Sequence, residues 1–115
     1  MSDTYGAAVD RLTRVPGVRG AMVVDAEAGV PVLAELENEV PSGALAALAS
    51  SLYRRAARAA TGADLGELDV LDLHADAGQV IVAGNQQLLI VILAEADAQL
   101  GLLRLEARKA AESLR

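Results

Sequence analysis

The stretch QLLIVILAEADAQLGLL, residues 87–103, decides the fold, because an uninterrupted apolar run leads through polar residues into the start of an amphipathic helix. In an extended strand alternate side chains point to opposite faces, so Leu88 and Ile90 face one way and Leu89 and Val91 face the other. Water can reach neither face of such a strand, which requires helices on both sides of the sheet. The pattern predicts a central strand in a three-layer α/β/α domain.

The remainder of the chain supplies the neighbouring strands. Apolar and β-branched runs predict four more, at residues 18–25, 30–35, 67–74 and 79–84. Pro31 has no N–H to give to a ladder, so the strand that contains it is predicted to lie at a sheet edge. The predicted order is α-β-β-α-β-β-β-α, in one domain that covers residues 1–115 without repeats or linkers.

Helices are predicted where apolar residues recur at three- and four-residue spacing. The first follows a cap at Ser2 or Asp3 and ends before Pro16, and the last is capped by Asp97. The longest covers residues 42–61. The stripe predicted to cover the sheet from this helix consists of Leu45, Leu48, Ala49, Leu52, Ala56 and Ala59.

The opposite face of the long helix changes from small residues to a basic end. Its members are Ala44, Ala47, Ser51, Arg54, Arg55 and Arg58. Solvated helix faces usually mix charges of both signs, as pairing four residues apart favours, yet no acid occurs between Ser42 and Thr61. The small residues predict close approach of a second helix, and the arginines predict an acidic partner. The alternative is that the arginines are ordinary solvated charges.

Composition and charge exclude several classes of protein. A net charge of −6 with scattered acids argues against nucleic acid as a partner, because proteins that follow the phosphate backbone concentrate Lys and Arg. The chain has no Cys, so it forms no disulfide. The apolar run 88–94 is far shorter than the ~20 residues that span a bilayer, and the N-terminus lacks a signal-peptide pattern. A cytoplasmic protein without membrane insertion is the expectation.

The residues that carry enzyme chemistry are scarce. The only His is His74, and no Ser stands in a nucleophile motif, so no catalytic residue is predicted. His74 and Asp76 offer two metal ligands, whereas a stable metal site needs three or four. The sequence contains no glycine motif of the kind that binds phosphate groups, so no cofactor is predicted. Strand alternation places Asp69 and Asp72 on opposite faces, as solubility charges of an edge strand. We expect a protein that is not an enzyme.

Three segments together resemble one family. They are VPGVRGAMVVDAEAGVPV at 15–32, GELDVLDLHADAGQVIV at 66–82 and LLIVILAEADAQLGLLRLEARKAA at 88–111. In their order and spacing, and with the long Ala- and Leu-rich helix between the first two, they resemble the roadblock/dynein light chain family over essentially the whole chain, in particular its prokaryotic small-GTPase regulators. The resemblance implies a five-stranded antiparallel sheet, with the first and last helices on one face and the long helix on the other.

The resemblance also implies partners. Family members form dimers through the long helix and the third strand, which here implies an interface at Ala44, Ala47, Ser51, Asp69, Val70, Leu71 and Asp72. They act as non-catalytic regulators or scaffolds for Ras-like small GTPases, and Arg54, Arg55 and Arg58 are the expected contact. Two other functions stay open: a scaffold or light-chain-type subunit without GTPase contact, and a small-molecule sensor.

Overall fold

The computed structural model describes residues 4–85 and 87–114. Its elements are α1 (Thr4–Thr13), β1 (Val18–Asp25), β2 (Val30–Leu36), α2 (Ser42–Gly62), β3 (Val70–Ala75), β4 (Gly78–Gly84), β5 (Leu88–Ala94) and α3 (Leu100–Ser113). The predicted order of helices and strands is confirmed. The caps predicted at Ser2 or Asp3 lie outside the described residues. No described helix is both long enough and apolar enough to cross a membrane.

All five strands form one antiparallel sheet in the order β2-β1-β5-β4-β3. The central position predicted for β5 is confirmed, and its Ile90 lies between Val23 of β1 and Ala83 of β4. Pro31 lies in β2 at one edge of the sheet, as its missing N–H predicts. The other edge is β3, whose only neighbour in the sheet is β4.

Helices cover both faces of the sheet. Ile90 and Ile92 belong to a core that includes Leu12 of α1 and Leu103 of α3. Leu89 and Val91 belong to a second core, built with α2 on the opposite face. All four of these β5 side chains are fully buried, so the predicted three-layer α/β/α architecture is confirmed.

The α2 helix turns a different stripe toward the sheet from the one that the leucines predict. Its buried residues are Ala46, Ala49, Ser50 and Tyr53, whereas Leu48 is 53% exposed and Ala59 is also exposed. Small residues let the helix axis approach the sheet closely. The Tyr53 hydroxyl lies 3.2 Å from the carbonyl oxygens of both Leu68 and Gly84, so the buried Tyr53 finds its polar partners in the core. The predicted stripe is therefore confirmed at Ala49 and in part at Leu45, which packs against the core on this face, and it is wrong at Leu48 and Ala59.

Two predicted element starts differ from the structure by more than one residue. Strand β3 begins at Val70 rather than at residue 67, because the chain first completes the end of α2, where the Leu65 N–H donates to the carbonyl of Ala60. Helix α3 begins one residue after Gln99, which occupies the N-cap position without a side-chain hydrogen bond. The predicted Asp97 cap is wrong, because a turn from Glu95 to Ala98 places Asp97 two residues too early.

Candidate functional site

The basic end of α2 contains two kinds of arginine. Arg54 Nη1 donates a hydrogen bond of 2.6 Å to the carbonyl oxygen of Ala26, in the turn between β1 and β2. Arg55 and Arg58 are exposed, and neither has a hydrogen bond or an ion pair within residues 4–85 and 87–114. Two of the three predicted partner-binding arginines therefore present positive charge without a described partner, while the third is bonded to the β1–β2 turn of the same chain.

The turn that receives Arg54 is itself tightly built. Asp25 Oδ1 accepts hydrogen bonds from the backbone N–H groups of Glu27 and Ala28, at 3.0 and 2.9 Å. Gly29 closes the turn with a φ of +71°, and a Cβ atom at this position would lie 2.9 Å from Ser50 Oγ of α2. The turn consequently packs against the middle of α2 and holds the helix in its orientation.

A shallow apolar groove separates α2 from the β3 edge of the sheet. One wall consists of Leu45, Leu48 and Leu52, which share one flank of α2, and the floor consists of Leu71, Leu73, Val80 and Val82. The groove has a volume of about 20 Å³, far below the ~300 Å³ of a typical small-molecule pocket. Its leucines remain partly or largely exposed, so it is an apolar surface rather than a binding cavity.

The predicted interface residues are divided between the two faces of the sheet, and of them Leu71 alone lines this groove. Ala44 and Ala47 are exposed on α2, and Ser51 is half-buried, so the small-residue face is accessible as expected. Leu71 lines the groove floor, whereas Val70 packs into the core beneath α3. The sequence pattern did not predict an open groove here, because it assigned Leu45, Leu48 and Leu52 to the stripe that covers the sheet. The signal was present, because a second stripe of small residues, Ala46, Ala49 and Ser50, runs beside them.

Two aspartates join β3 to α3. Arg104 donates from Nε to Asp72 Oδ2 at 2.8 Å, and Arg108 donates from Nε to Asp69 Oδ2, also at 2.8 Å. The hydrogen bond and the charge of Asp72 raise the pKa of the Arg104 guanidinium above its ordinary value. The expectation that these carboxylates lie on opposite faces is wrong, because Asp69 precedes the strand and is not bound by its alternation.

His74 is the one histidine of the sequence and the residue considered above for catalysis and metal binding. His74 is exposed on β3, opposite Gln79 of β4. Among residues 4–85 and 87–114, no three His, Asp or Glu side chains are grouped closely enough to hold a metal ion. An open cleft of about 670 Å³ lies beside the end of α2, and it is lined by Tyr53, Ala57, Thr61, Glu67, Leu68, Asp69, Gly84, Asn85 and Gln87.

The family follows from comparison with known proteins. The family model of the Roadblock/LC7 domain matches residues 4–94, which is most of the chain. This chain belongs to the Roadblock/LC7 domain family. The predicted resemblance is thereby confirmed, and the leucine groove and arginine end described above are surfaces of a roadblock domain.

Individual relatives are similar over nearly the whole roadblock domain. The chain is 27% identical over 104 residues to the uncharacterized protein MJ1340 of Methanocaldococcus jannaschii, covering 90% of each. The solved Roadblock/LC7 domain from Streptomyces avermitilis has a TM-score of 0.81 at 21% identity, covering 100% of this chain and 94% of that one. Myxococcus xanthus MglB has a TM-score of 0.84 at 19% identity, covering 96% and 84%. These structures establish the roadblock fold.

Proposed function

We propose that this chain is a homodimeric, non-catalytic regulator that binds a Ras-like small GTPase. The observation that carries the proposal is the position of two surfaces on one helix. The flank of α2 that carries Leu48 borders an apolar groove beside the edge strand β3. The outer side of its basic end carries Arg55 and Arg58 without counter-charges among the described residues. One surface suits a second copy of the chain and the other suits an acidic partner.

The dimer is supported by the two unequal edges of the sheet. Pro31 obstructs pairing at β2, while β3 contains no Pro and has one side of its backbone free. Pairing of two β3 strands extends the sheet and brings the two leucine grooves together, so that apolar surface leaves water. The proposed interface comprises the groove leucines together with Ala44, Ala47, Ser51 and the segment 69–72.

The GTPase contact is supported by charge. Arg55 and Arg58 are three residues apart and repel each other weakly, so the stability of the helix does not explain them. Arginine forms bidentate hydrogen bonds with carboxylates, which makes it a common anchor at protein interfaces. Arg54 belongs to the same proposed contact, but its bond to Ala26 directs part of its hydrogen-bonding capacity inward.

The acids of a second copy are the competing counter-charges. Glu37 already accepts hydrogen bonds from Arg19 of its own subunit, at 3.0 and 2.8 Å, which leaves Glu35 and Glu39 as the free acids near the start of α2. If these acids neutralised the arginines across the dimer, replacing the arginines would change self-association. If acids of a GTPase neutralise the arginines instead, replacing the arginines changes partner binding alone.

The experiment is a pull-down of Ras-like GTPases of the same organism, loaded with GDP or with a non-hydrolysable GTP analogue. The wild type should capture one GTPase with a preference for one nucleotide state, and the affinity should fall as salt rises. Arg55→Glu/Arg58→Glu should lose capture while its mass by light scattering stays that of a dimer. Arg14→Glu is the control, because Arg14 is exposed just after the end of α1 and pairs with Asp10.

Capture that is unchanged by the double substitution would contradict the arginine contact. No capture in either nucleotide state would favour the alternative, a dimeric scaffold without GTPase contact. The small-molecule sensor has less support, because the cleft beside Tyr53 is wide open and the Tyr53 hydroxyl is already engaged by Leu68 and Gly84.

A further inference from the structure

The residues of β3 divide cleanly between the two faces of the sheet. Leu71 and Leu73 line the groove on the α2 side. Val70 packs into the core on the opposite side, and Asp72 bonds Arg104 of α3 there. His74 continues this alternation and lies opposite Gln79, so it shares the α3 side with Asp72.

This division restricts how two β3 strands can pair. In the proposed dimer both α2 helices lie on the same side of the joined sheet, so the two-fold axis is perpendicular to the sheet. Directly opposed residues of antiparallel strands project to the same face. Leu71 and Leu73 can therefore pair only with residues whose side chains lie on the α2 side. The two-fold axis must then lie midway between two copies of the same residue, one from each strand.

Two registers use most of the strand. Strand β3 has six residues, and an axis at Asp72 or at Leu73 pairs all but one of them with the second copy. An axis at Leu71 or at His74 pairs only half of the strand. Because a longer paired segment forms more backbone hydrogen bonds, the choice lies between Asp72 and Leu73.

Charge decides between these two registers. An axis at Asp72 would hold two Asp72 carboxylates directly opposite each other, about 5 Å apart between Cβ atoms, which is destabilising. Asp72 Oδ1 is already buried without a hydrogen-bond partner in the described part of the chain. An axis at Leu73 instead sets His74 opposite Asp72 of the second copy, twice by symmetry, and brings an imidazole N–H donor toward the carboxylate.

We propose that the chain self-associates with Leu73 on the two-fold axis, and that His74 of each copy faces Asp72 of the other. The inference rests on the proposed homodimer and specifies its register. Arg104 keeps its bond to Asp72 Oδ2 within each subunit, so the cross-subunit contact adds to that ion pair rather than replacing it. Asp76 lies in the following turn, beyond the paired residues.

Cysteine cross-linking tests the register directly, because the native chain has no Cys. Under mild oxidation Leu73→Cys should form a disulfide-linked dimer about tenfold faster than Asp72→Cys, since only residues at the axis meet the short Cβ separation that a disulfide needs. Ala28→Cys, exposed in the turn between β1 and β2, reports random collisions. Light scattering of each reduced variant gives its oligomeric state.

The outcomes separate the register from the dimer. Faster linking of Asp72→Cys would overturn the register while leaving the dimer intact. A dimer in which neither variant links faster than Ala28→Cys would show that the axis lies at neither residue, and the register would again be wrong. A monomeric wild type would overturn the homodimer, and the register with it.

A second measurement tests the His74 contact. His74→Ala should weaken dimerisation by about 2- to 30-fold, because two equivalent cross-strand pairs are lost. The substitution leaves the Asp72–Arg104 bond in place, so the fold of each subunit is retained. Asp76→Ala, two residues further on, should leave the dimer dissociation constant unchanged. Equal dissociation constants for the wild type and His74→Ala would overturn the proposed contact.

Discussion

Arg54 Nη1 lies 2.6 Å from the carbonyl oxygen of Ala26, and this hydrogen bond fastens the middle of α2 to the turn that joins β1 and β2. The same turn contacts α2 at a second point, where Gly29 lies close to Ser50. Arg54 therefore has a structural role that its neighbours Arg55 and Arg58 lack, although the three form one basic run in the sequence.

Arg54→Ala should lower the free energy of unfolding by ~1–2 kcal/mol, because a hydrogen bond from a charged donor is lost. Arg58→Ala, at an exposed position without a described partner, should change it by less than ~0.5 kcal/mol. Urea titration at one fixed protomer concentration measures both. Equal effects of the two substitutions would mean that the Ala26 bond contributes nothing to stability.

Leu48→Glu should weaken self-association by at least about 100-fold, because it would bury an unpaired carboxylate in the leucine groove. Leu105→Glu is the matched control, since Leu105 on α3 is 47% exposed and Leu48 is 53% exposed. Both variants should retain the circular dichroism of the wild type. Sedimentation velocity gives the dissociation constants, and similar values for the two variants would remove the groove from the interface.

Ile90→Ala and Val91→Ala should each cost roughly 2–4 kcal/mol of unfolding free energy, because the two side chains are fully buried in cores on opposite sides of the sheet. Val32→Ala serves as the comparison, since Val32 of the edge strand β2 is 48% exposed and should cost less than ~1 kcal/mol. A mild effect at either β5 position would be inconsistent with helices on both faces.

Gly29→Ala should destabilise the fold by ~1–3 kcal/mol, because alanine at a φ of +71° is strained and its Cβ would crowd Ser50. Gly101→Ala should instead stabilise the fold by up to ~1 kcal/mol, since Gly101 lies in α3 with open space around its Cβ position. Thermal unfolding of the two variants should thus shift in opposite directions. An unfolding temperature that Gly29→Ala leaves unchanged or raises would contradict the assigned role of Gly29.

The sequence predicted the sheet well because strand signals are local. The apolar run 88–94 and the missing N–H of Pro31 each define a position without reference to distant residues, and both positions are confirmed. The rotation of α2 could not be predicted in the same way. Hydropathy ranks Leu above Ala and Tyr for burial, yet the packed helix buries Ala46 and Tyr53 and leaves Leu48 exposed.

The reason for this failure lies in interactions between elements. Tyr53 faces the sheet because the carbonyl groups of Leu68 and Gly84 lie within reach of its hydroxyl, and neither residue is near Tyr53 in the sequence. The bonds from Arg104 and Arg108 to the aspartates around β3 are likewise long-range. The sequence is enough to find the cluster of three arginines. The difference between Arg54 and the other two depends on the position of Ala26 in the fold, which the sequence does not show.

The position of Pro31 bears on how large an assembly can become. A sheet with two open edges can add subunits at both and grow into a polymer. A sheet with one open edge can pair with only one further subunit. The irregular pairing between β1 and β2 beside Pro31 disturbs that edge further. Once two β3 strands pair, both outer edges of the joined sheet are β2 strands that carry Pro31, which disfavours the addition of further strands beyond ten.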